Sequence, residues 1–443
     1  MGYVSNIEVN QGPDGNSHVQ EASTLKKLDL SRKEKNVLRS SIEESFMIFS
    51  TTTKKPRQEE LKASEYFNSY EGVELEILKD PKCSVLPVDK KWPFLLRFPV
   101  NCFGINLGLG SQAILWKILA TQGHLWFMEV TFLVNLVIWS VATVTYILIF
   151  ATYTLKIIFY YEAVRQEFNH PVRVNFFFVP WISCIFLIVG APPLLQTHIS
   201  PNILWIMFVA PIFTLDLKVF GDWICGGEKR LCNIANPCTH LSLLGNFVGA
   251  ILLKAVGYTE LPLFFWSVGF LHYIILLATL YQRLPSAMTL PKELHPVYFI
   301  FFALPSNACV SWAKIKGRFD LAARIIYFFA MFLLLSMVSK AKSFCGFGFN
   351  ISWWAYTLPL TISAIATTEY SIEVKNSLTQ FCATFLTFIS SSVVLSLFVV
   401  TMLRTFVWKS MFPNDMAISL DINKIKGKRG TYAKKKDFLP CYI

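Results

Sequence analysis

Side chains that could carry out chemistry are scattered along this chain and form no recognisable catalytic or metal-binding set. Of its seven histidines, His170, His240 and His295 stand beside proline or loop residues. His272 stands alone in an apolar stretch. The HExxH, GxSxG and Walker spacings of metalloproteases, serine hydrolases and nucleotide-binding proteins do not occur. We therefore expect a protein that is not an enzyme and that uses neither a metal nor a cofactor.

Prolines inside apolar stretches are the more informative pattern. Residues 349–368, FNISWWAYTLPLTISAIATT, carry no charge and are long enough to cross a bilayer as a helix. Pro359 lies near the middle and should kink that helix, because proline removes a backbone hydrogen bond. Pro180 and Pro305 interrupt similar stretches. In lipid a freed carbonyl needs a partner, so such kinks favour the wall of a water-filled cavity, and several around one axis suggest a pore.

The composition indicates a membrane protein. The chain has 443 residues, of which 53% are hydrophobic and 16% charged, and its mean hydropathy is +0.45. Soluble domains are about one quarter charged, so this chain is too apolar for a soluble fold of its size. The net charge of +12 could suggest nucleic acid. The basic residues lie mainly in the tails and short connections, however, so we expect lipid as a partner and no nucleic acid.

Ten apolar runs follow one another after a polar start. We place them at 98–117, 127–153, 174–196, 201–221, 236–255, 261–282, 296–315, 320–340, 349–370 and 377–404. The connections 154–173, 222–235 and 283–295 carry Lys and Arg, whereas 122–126 and 197–201 carry neither. The positive-inside rule then predicts a multi-pass protein with the basic connections and both termini in the cytosol.

Three regions follow from this pattern. Residues 1–90 form a polar arm that we expect to be cytosolic and largely disordered. Residues 91–408 form a domain of ten transmembrane helices, and 409–443 form a basic cytosolic tail. Ser40 and Ser41 follow an arginine in the arm, a context that basophilic kinases often accept, so they are candidate phosphorylation sites.

Residue types divide the ten spans into two sets. The odd-numbered spans hold the prolines and many small or polar residues, while the even-numbered spans are more uniformly apolar. We therefore predict an all-α membrane protein in which proline-kinked odd helices form an inner ring around a pore and even helices face lipid. Close helix packing alone is the other explanation for the small residues. The odd spans carry almost no ionisable residues, so a path between them would bind ions only weakly, as conduction requires.

One connection departs from the positive-inside pattern. Lys314, Lys316 and Arg318 lie between the seventh and eighth spans, on the predicted outer side. Either this connection is an exception to the rule, or it forms a positive external vestibule that attracts anions.

Six longer motifs resemble a known family, the plant slow-type (S-type) anion channels, which are relatives of the bacterial TehA protein. The resemblance covers about residues 92–420. The motifs are LLRFPVNCFGINLGLGSQA, HPVRVNFFFVPW, ANPCTHLSLLGNFVGAIL, TLYQRLPSAMTLPKELHPVYF, SWWAYTLPLT and FPNDMAIS. The resemblance implies ten helices in five hairpins, a pore in each protomer of a homotrimer, and gating by phosphorylation of the cytosolic tails by regulatory kinases, opposed by phosphatases.

The resemblance also assigns a gate and shows a departure from it. In this family a Phe directly before the kink proline of the ninth helix plugs the pore. In SWWAYTLPLT the matching residue is Leu358. Leucine is smaller and lacks the flat ring, yet a hydrophobic constriction can still gate by dewetting. Apolar packing beside Pro359 is the other explanation for this leucine.

The function expected from these observations is a passive plasma-membrane channel that conducts nitrate or chloride outward. Two alternatives stay open at this stage. One is a secondary carrier of organic anions such as malate, which the lack of carboxylates in the odd spans disfavours. The other is an electrically silent subunit that modulates a partner channel, since trimers of this kind can mix homologous subunits.

Overall fold

The computed structural model describes seven stretches of the chain, which are residues 92–122, 132–193, 201–225, 227–283, 292–340, 348–408 and 411–412. Within them lie ten α-helices of twelve residues or more and no strand. These helices are α1 (Gly104–Gln122), α2 (Phe132–Phe159), α3 (Val179–Gly190), α4 (Ala210–Cys225), α5 (His240–Ala255), α6 (Glu260–Arg283), α7 (Ile300–Lys316), α8 (Leu321–Ser339), α9 (Thr357–Glu373) and α10 (Ser377–Met402).

Every odd-numbered helix begins as a tighter 3₁₀ segment. The five segments are Val100–Phe103, Arg173–Phe178, Pro237–Thr239, Lys292–Phe299 and Ile351–Tyr356. A proline lies in each segment or within three residues of it, at positions 99, 180, 237, 296 and 359. Proline lacks the N–H that continues the α pattern, so a local change of helix type beside it is expected. Pro180 and Pro359 thus lie near the start of α3 and α9, not in the middle of an α-helix.

Short polar side chains fix where several of these segments start. Asn236 and Asn376 accept hydrogen bonds from backbone N–H groups in capping boxes before Pro237–Thr239 and α10. Asn350 accepts from the Ser352 N–H before the last 3₁₀ segment. Such caps satisfy N–H groups that have no partner within the helix.

The odd helices form a closed ring. In order around the ring, α1 packs against α3, α3 against α5, α5 against α7, α7 against α9, and α9 against α1. In the segments of α1, α3, α5 and α7, 56% to 83% of residues are buried. In the segments of α2, α6, α8 and α10 the share is only 17% to 28%. The even helices therefore lie outside the ring, and they expose apolar side chains such as Leu133, Ile325 and Phe388.

The predicted class, an all-α membrane protein, is confirmed. Eight of the helical segments in the described ranges are long and apolar enough to cross a membrane. The fourth and ninth predicted spans are not among these eight, and the fourth is broken by a π-helical stretch at Trp205–Val209. The structure pairs α1 with α2, α5 with α6, α7 with α8 and α9 with α10. The count of ten spans and the layout of five hairpins stay predictions.

Close approach between α1 and α9 depends on a glycine. A Cβ atom added at Gly108 would lie 2.9 Å from the Thr357 Cβ and 3.0 Å from the Trp354 ring. Real Cβ atoms are essentially never closer than 3.0 Å to a neighbour, so a side chain here would push the two helices apart. Glycine at this position therefore allows α1 and α9 to pack closely enough to complete the ring.

Gly108→Leu should consequently destabilise the protein, because overpacking a tight interface costs about 1–3 kcal/mol. Thermal unfolding in detergent should show a lower melting temperature than that of the wild type. Gly221→Leu is the matched control, since Gly221 has no neighbouring atom within 4 Å of an added Cβ. A Gly108→Leu protein that melts at the wild-type temperature would contradict this role of the glycine.

Candidate functional site

The N-terminal ends of the five ring helices surround a cavity of about 490 Å³, measured together with its open mouth. Each ring helix or its 3₁₀ segment contributes to the wall, and we call this space the ring cavity. Representative lining residues, one from each of the five, are Gly104, Val179, Leu241, Ile300 and Leu358. Because all five helices contact it, the cavity lies on the axis of the ring. Most of its lining side chains are apolar.

Two of the predicted kink prolines, Pro180 and Pro359, directly follow the residues Val179 and Leu358, which line this cavity. Leu358 is only 2% exposed. Pro359 cannot donate to the Ala355 carbonyl, and Pro180 cannot donate to the Phe176 carbonyl, as a helical N–H would. Ala355 and Phe176 both line the cavity. The Phe176 carbonyl instead accepts from the Val179 N–H, as in a 3₁₀ turn. Both changes in the hydrogen-bond pattern therefore involve residues of the cavity wall.

The third predicted kink proline, Pro305, is buried inside α7. The nearest cavity-lining residue before it in the chain is Ile300, five positions earlier. The hydroxyl of Ser306, the residue after Pro305, donates to the Phe302 carbonyl at 2.7 Å. The same hydroxyl lies 3.2 Å from the Ser363 Oγ on α9. Polar groups near Pro305 thus connect two ring helices.

The buried side-chain amide of Gln112 connects three helices by hydrogen bonds. The Gln112 Nε2 donates to the Thr361 Oγ1 at 2.9 Å and to the Ser390 Oγ at 3.2 Å, which joins α1, α9 and α10. The Gln112 Oε1 accepts from the Trp116 indole and from the Ser391 hydroxyl. Such polar side chains are used in helix contacts, so they are not available to bind an ion strongly.

A buried ionic cluster stands beside the mouth of the ring cavity. The Lys156 Nζ lies 2.8 Å from the Glu167 Oε1 and donates to the Phe98 carbonyl at 2.7 Å. Tyr153 donates to the other Glu167 oxygen at 2.8 Å. The Arg173 guanidinium lies 3.6 Å from the Glu167 carboxylate. These contacts join the residue before Pro99, the end of α2 and the 3₁₀ segment that precedes α3.

This cluster shows that the basic connection 154–173 is partly buried. The positive-inside pattern assigned the connection 154–173, which carries Lys156, Arg165 and Arg173, to the cytosolic side. The side chains of Lys156 and Arg173 are 0% and 4% exposed, whereas that of Arg165 is 62% exposed. Sequence spacing gave no signal for the pairing with Glu167, because that residue lies on the separate helix Tyr161–Asn169.

The two ends of the described chain also meet near this mouth. Arg97 donates from Nε to the Trp92 carbonyl at 2.8 Å and from a terminal nitrogen to the Phe412 carbonyl. The rings of Phe94, Phe98 and Phe412 lie 5.3 to 5.7 Å apart. Burial lowers the pKa of the Arg97 guanidinium, which nevertheless stays charged at neutral pH.

At the opposite end of the ring, the three residues of the predicted external vestibule differ in their surroundings, and the vestibule stays a prediction. Lys314 lies in the last turn of α7 and pairs with Glu369 of α9 at 2.6 Å. The Lys316 ammonium stands over the Trp312 ring, 5.0 Å from its centre. Arg318 is exposed. Sequence reasoning missed Glu369, although it follows Leu358 by eleven residues and so shares its helical face.

Several predictions fall outside the described residues. Ser40, Ser41 and the whole arm 1–90 lie there, as does nearly all of the tail 409–443. The two serines therefore stay predicted phosphorylation sites, and the three-region organisation stays a prediction.

Comparison with known proteins gives the family. The SLAC1 family model, described as a voltage-dependent anion channel, matches residues 97–402. The chain belongs to this family of anion channels. The match contains all five ring helices, and the family function is conduction, which is not an enzymatic activity.

Individual relatives agree with this assignment. The chain is 46% identical over 382 residues to the guard cell S-type anion channel SLAC1 of Arabidopsis thaliana, covering 86% of this chain and 68% of that relative. It is 45% identical over 381 residues to the S-type anion channel SLAH3 of the same plant, covering 86% and 60%. It is 27% identical over 297 residues to the tellurite resistance protein TehA homologue of Haemophilus influenzae, covering 65% and 85%. The predicted resemblance to S-type channels and TehA is confirmed.

The buried cluster yields a stability prediction. Glu167→Gln should leave the Lys156 ammonium buried without a counter-charge, a change that typically costs about 3–5 kcal/mol. We expect a large fall in melting temperature and in the yield of folded protein. Glu162→Gln is the control, because the Glu162–Arg165 pair is 58% and 62% exposed and should contribute little. Equal melting temperatures for the two variants would show that the cluster does not stabilise the fold.

Proposed function

We propose that this chain conducts nitrate and chloride passively out of the cell, through the centre of its own five-helix ring. The observation that carries the proposal is the ring cavity, to which all five odd helices contribute lining residues. Its wall is mostly apolar and neutral, so an anion would pass without being held, which conduction requires. Family membership supports anions as the permeant class.

The direction of flow follows from the predicted orientation. If both termini are cytosolic, the N-terminal ends of the odd helices, and with them the ring cavity, face the cytosol. Basic cytosolic connections would then raise the local anion concentration at this mouth. At a plasma-membrane potential of about −100 mV, a monovalent anion gains about 2.3 kcal/mol on leaving the cell.

Leu358 is the proposed hydrophobic constriction. Its burial in the cavity wall and its position directly before Pro359 support this role. An apolar side chain at the axis can stop conduction by excluding water, without a charged or aromatic gate. Pro180 and Pro359 shape the path by starting α3 and α9 next to it, and Pro305 acts within the α7–α9 contact.

Regulation is proposed to act through the cytosolic tails, by kinases and phosphatases that act on sites such as Ser40 and Ser41. The Arg97–Phe412 contact supports this route, because it joins the start of the membrane domain to the start of the C-terminal tail. Asn101, four residues after Arg97, lines the ring cavity. A homotrimer, or a trimer mixed with homologous subunits, is the proposed assembly in the plasma membrane.

A proton-coupled carrier of organic anions is the second candidate. The observation in its favour is Asp216, a carboxyl that is only 2% exposed within the membrane region. Intramembrane carboxyls often serve proton transport. Asp216 lies on α4, outside the ring, and does not line the ring cavity, so passive conduction remains the better-supported function.

Voltage clamp of cells that express this chain alone distinguishes these functions. A channel should give currents whose reversal potential follows the nitrate or chloride gradient and does not move with external pH. Flux that saturates, follows the proton gradient and lacks single-channel openings would establish the carrier. A chain without current alone that alters the currents of a co-expressed homologue would establish the silent subunit.

Substitutions at Leu358 test the constriction. Leu358→Phe should reduce the current several-fold and Leu358→Ala should increase it, because the larger ring closes the apolar path and the smaller methyl opens it. Leu360→Ala is the control, since Leu360 packs outward against Phe302, Leu333 and Leu334. The constriction would be placed elsewhere if the three variants and the wild type gave equal currents at equal surface expression.

A further inference from the structure

The Lys314–Glu369 pair at the far end of the ring has no role in the function proposed above. The Lys314 Nζ and the Glu369 Oε1 are 2.6 Å apart. Lys314 lies in the last turn of α7 and Glu369 lies near the end of α9, and these two helices are neighbours in the ring. The pair therefore stands where the path leaves the ring on the predicted outer side.

Both residues continue the helical faces that line the ring cavity. Lys314 follows the cavity residue Ile300 by fourteen positions, which is about four helical turns. Glu369 follows the cavity residue Leu358 by eleven positions, which is about three turns. At about 1.5 Å per residue, the pair lies roughly 17 to 21 Å beyond the cavity. Its side chains thus share the inward face of α7 and α9.

The pair differs from the buried contact between Lys156 and Glu167. Lys156 and Glu167 are both fully buried and have further partners in Tyr153 and the Phe98 carbonyl. The Lys314 side chain is 39% exposed and that of Glu369 is 12% exposed. A lysine ammonium has three N–H donors, so Lys314 keeps donors for water beside its contact with Glu369. A partly hydrated ammonium can exchange one anionic partner for another.

We propose that Lys314 and Glu369 form an anion-accepting site at the outer end of the path. In this site a monovalent inorganic anion competes with the Glu369 carboxylate for the Lys314 ammonium. Glu369 keeps the lysine from holding the anion permanently, because the carboxylate returns when the anion leaves. The inference rests on the proposed function, since it assigns these residues to the same conduction path.

The test measures outward current, which is anion entry, over a range of external nitrate concentrations in cells expressing the full chain. Glu369→Gln should lower the nitrate concentration for half-maximal current about threefold, because the ammonium loses its competitor while partial exposure keeps the effect modest. Lys314→Met should raise this concentration about threefold. The double variant Lys314→Glu with Glu369→Lys keeps the pair and should lie closer to the wild type than either single variant.

Glu373→Gln is the matched control. Glu373 belongs to the same helix and lies 3.7 Å from Arg324, but its side chain is 42% exposed, compared with 12% for Glu369. Its half-maximal concentration should equal that of the wild type. This quantity does not depend on the number of channels, so reduced expression of a variant does not hide the effect.

Two results would overturn the inference, and they are distinguishable. If the wild type conducts and Glu369→Gln has the same half-maximal concentration as the wild type and Glu373→Gln, the pair is only a structural link between α7 and α9. The proposed channel function then stands without this site. If the wild type gives no current under any condition, the proposed function fails and the anion site fails with it.

Discussion

The structure depends on one constraint, which is that lipid offers no hydrogen-bond partner to a backbone group. A chain that spans the bilayer must therefore pair its backbone polar groups within helices or keep the exceptions away from lipid. Here the exceptions are the proline-bearing starts of the odd helices. The chain closes these five helices into a ring and surrounds them with apolar even helices. The carbonyls of Phe176 and Ala355, to which Pro180 and Pro359 cannot donate, belong to residues that line an internal cavity.

Charge follows the same constraint. The fully buried lysine, Lys156, is placed beside Glu167 and a backbone carbonyl, so its ammonium is neutralised and hydrogen-bonded. This cluster connects three segments at the mouth of the ring cavity, and the Arg97–Phe412 contact connects the two chain ends nearby. The wall of the path itself is left mostly apolar. Charged groups thus connect the segments around the ring cavity, whereas the proposed conducting surface carries few groups that would bind an ion.

Composition and residue type predicted the membrane class, and they also predicted which helices are inner and which are outer. Prolines and small residues distinguished the odd spans because close packing and backbone irregularity are tolerated only inside the bundle. The SWWAYTLPLT motif identified Leu358 as a candidate pore residue, and the structure places it in the cavity wall. These signals are local, so one sequence contains them.

The remaining features depend on tertiary contacts that local patterns do not encode. The 3₁₀ starts of the odd helices follow from proline together with packing, so Pro359 lies near the start of α9 and not near the middle of one continuous helix over 349–368. The sequence placed Lys156 and Arg173 in a basic connection, and nothing in their spacing indicated that they are buried beside Glu167. The predicted span 349–370 included Glu369, but no local pattern indicated its partner Lys314, which is 55 residues away in the chain.

The central claim is that anions pass through the ring of a single chain, by way of the ring cavity. Thiol modification from the cytosolic side of excised patches tests it directly. Ala355 lines the cavity and is half-buried, so a charged thiol reagent should block an Ala355→Cys channel while the unchanged chain and Ile325→Cys, on the lipid-facing α8, keep their current. An Ala355→Cys channel that conducts and resists the reagent would contradict a path through this cavity.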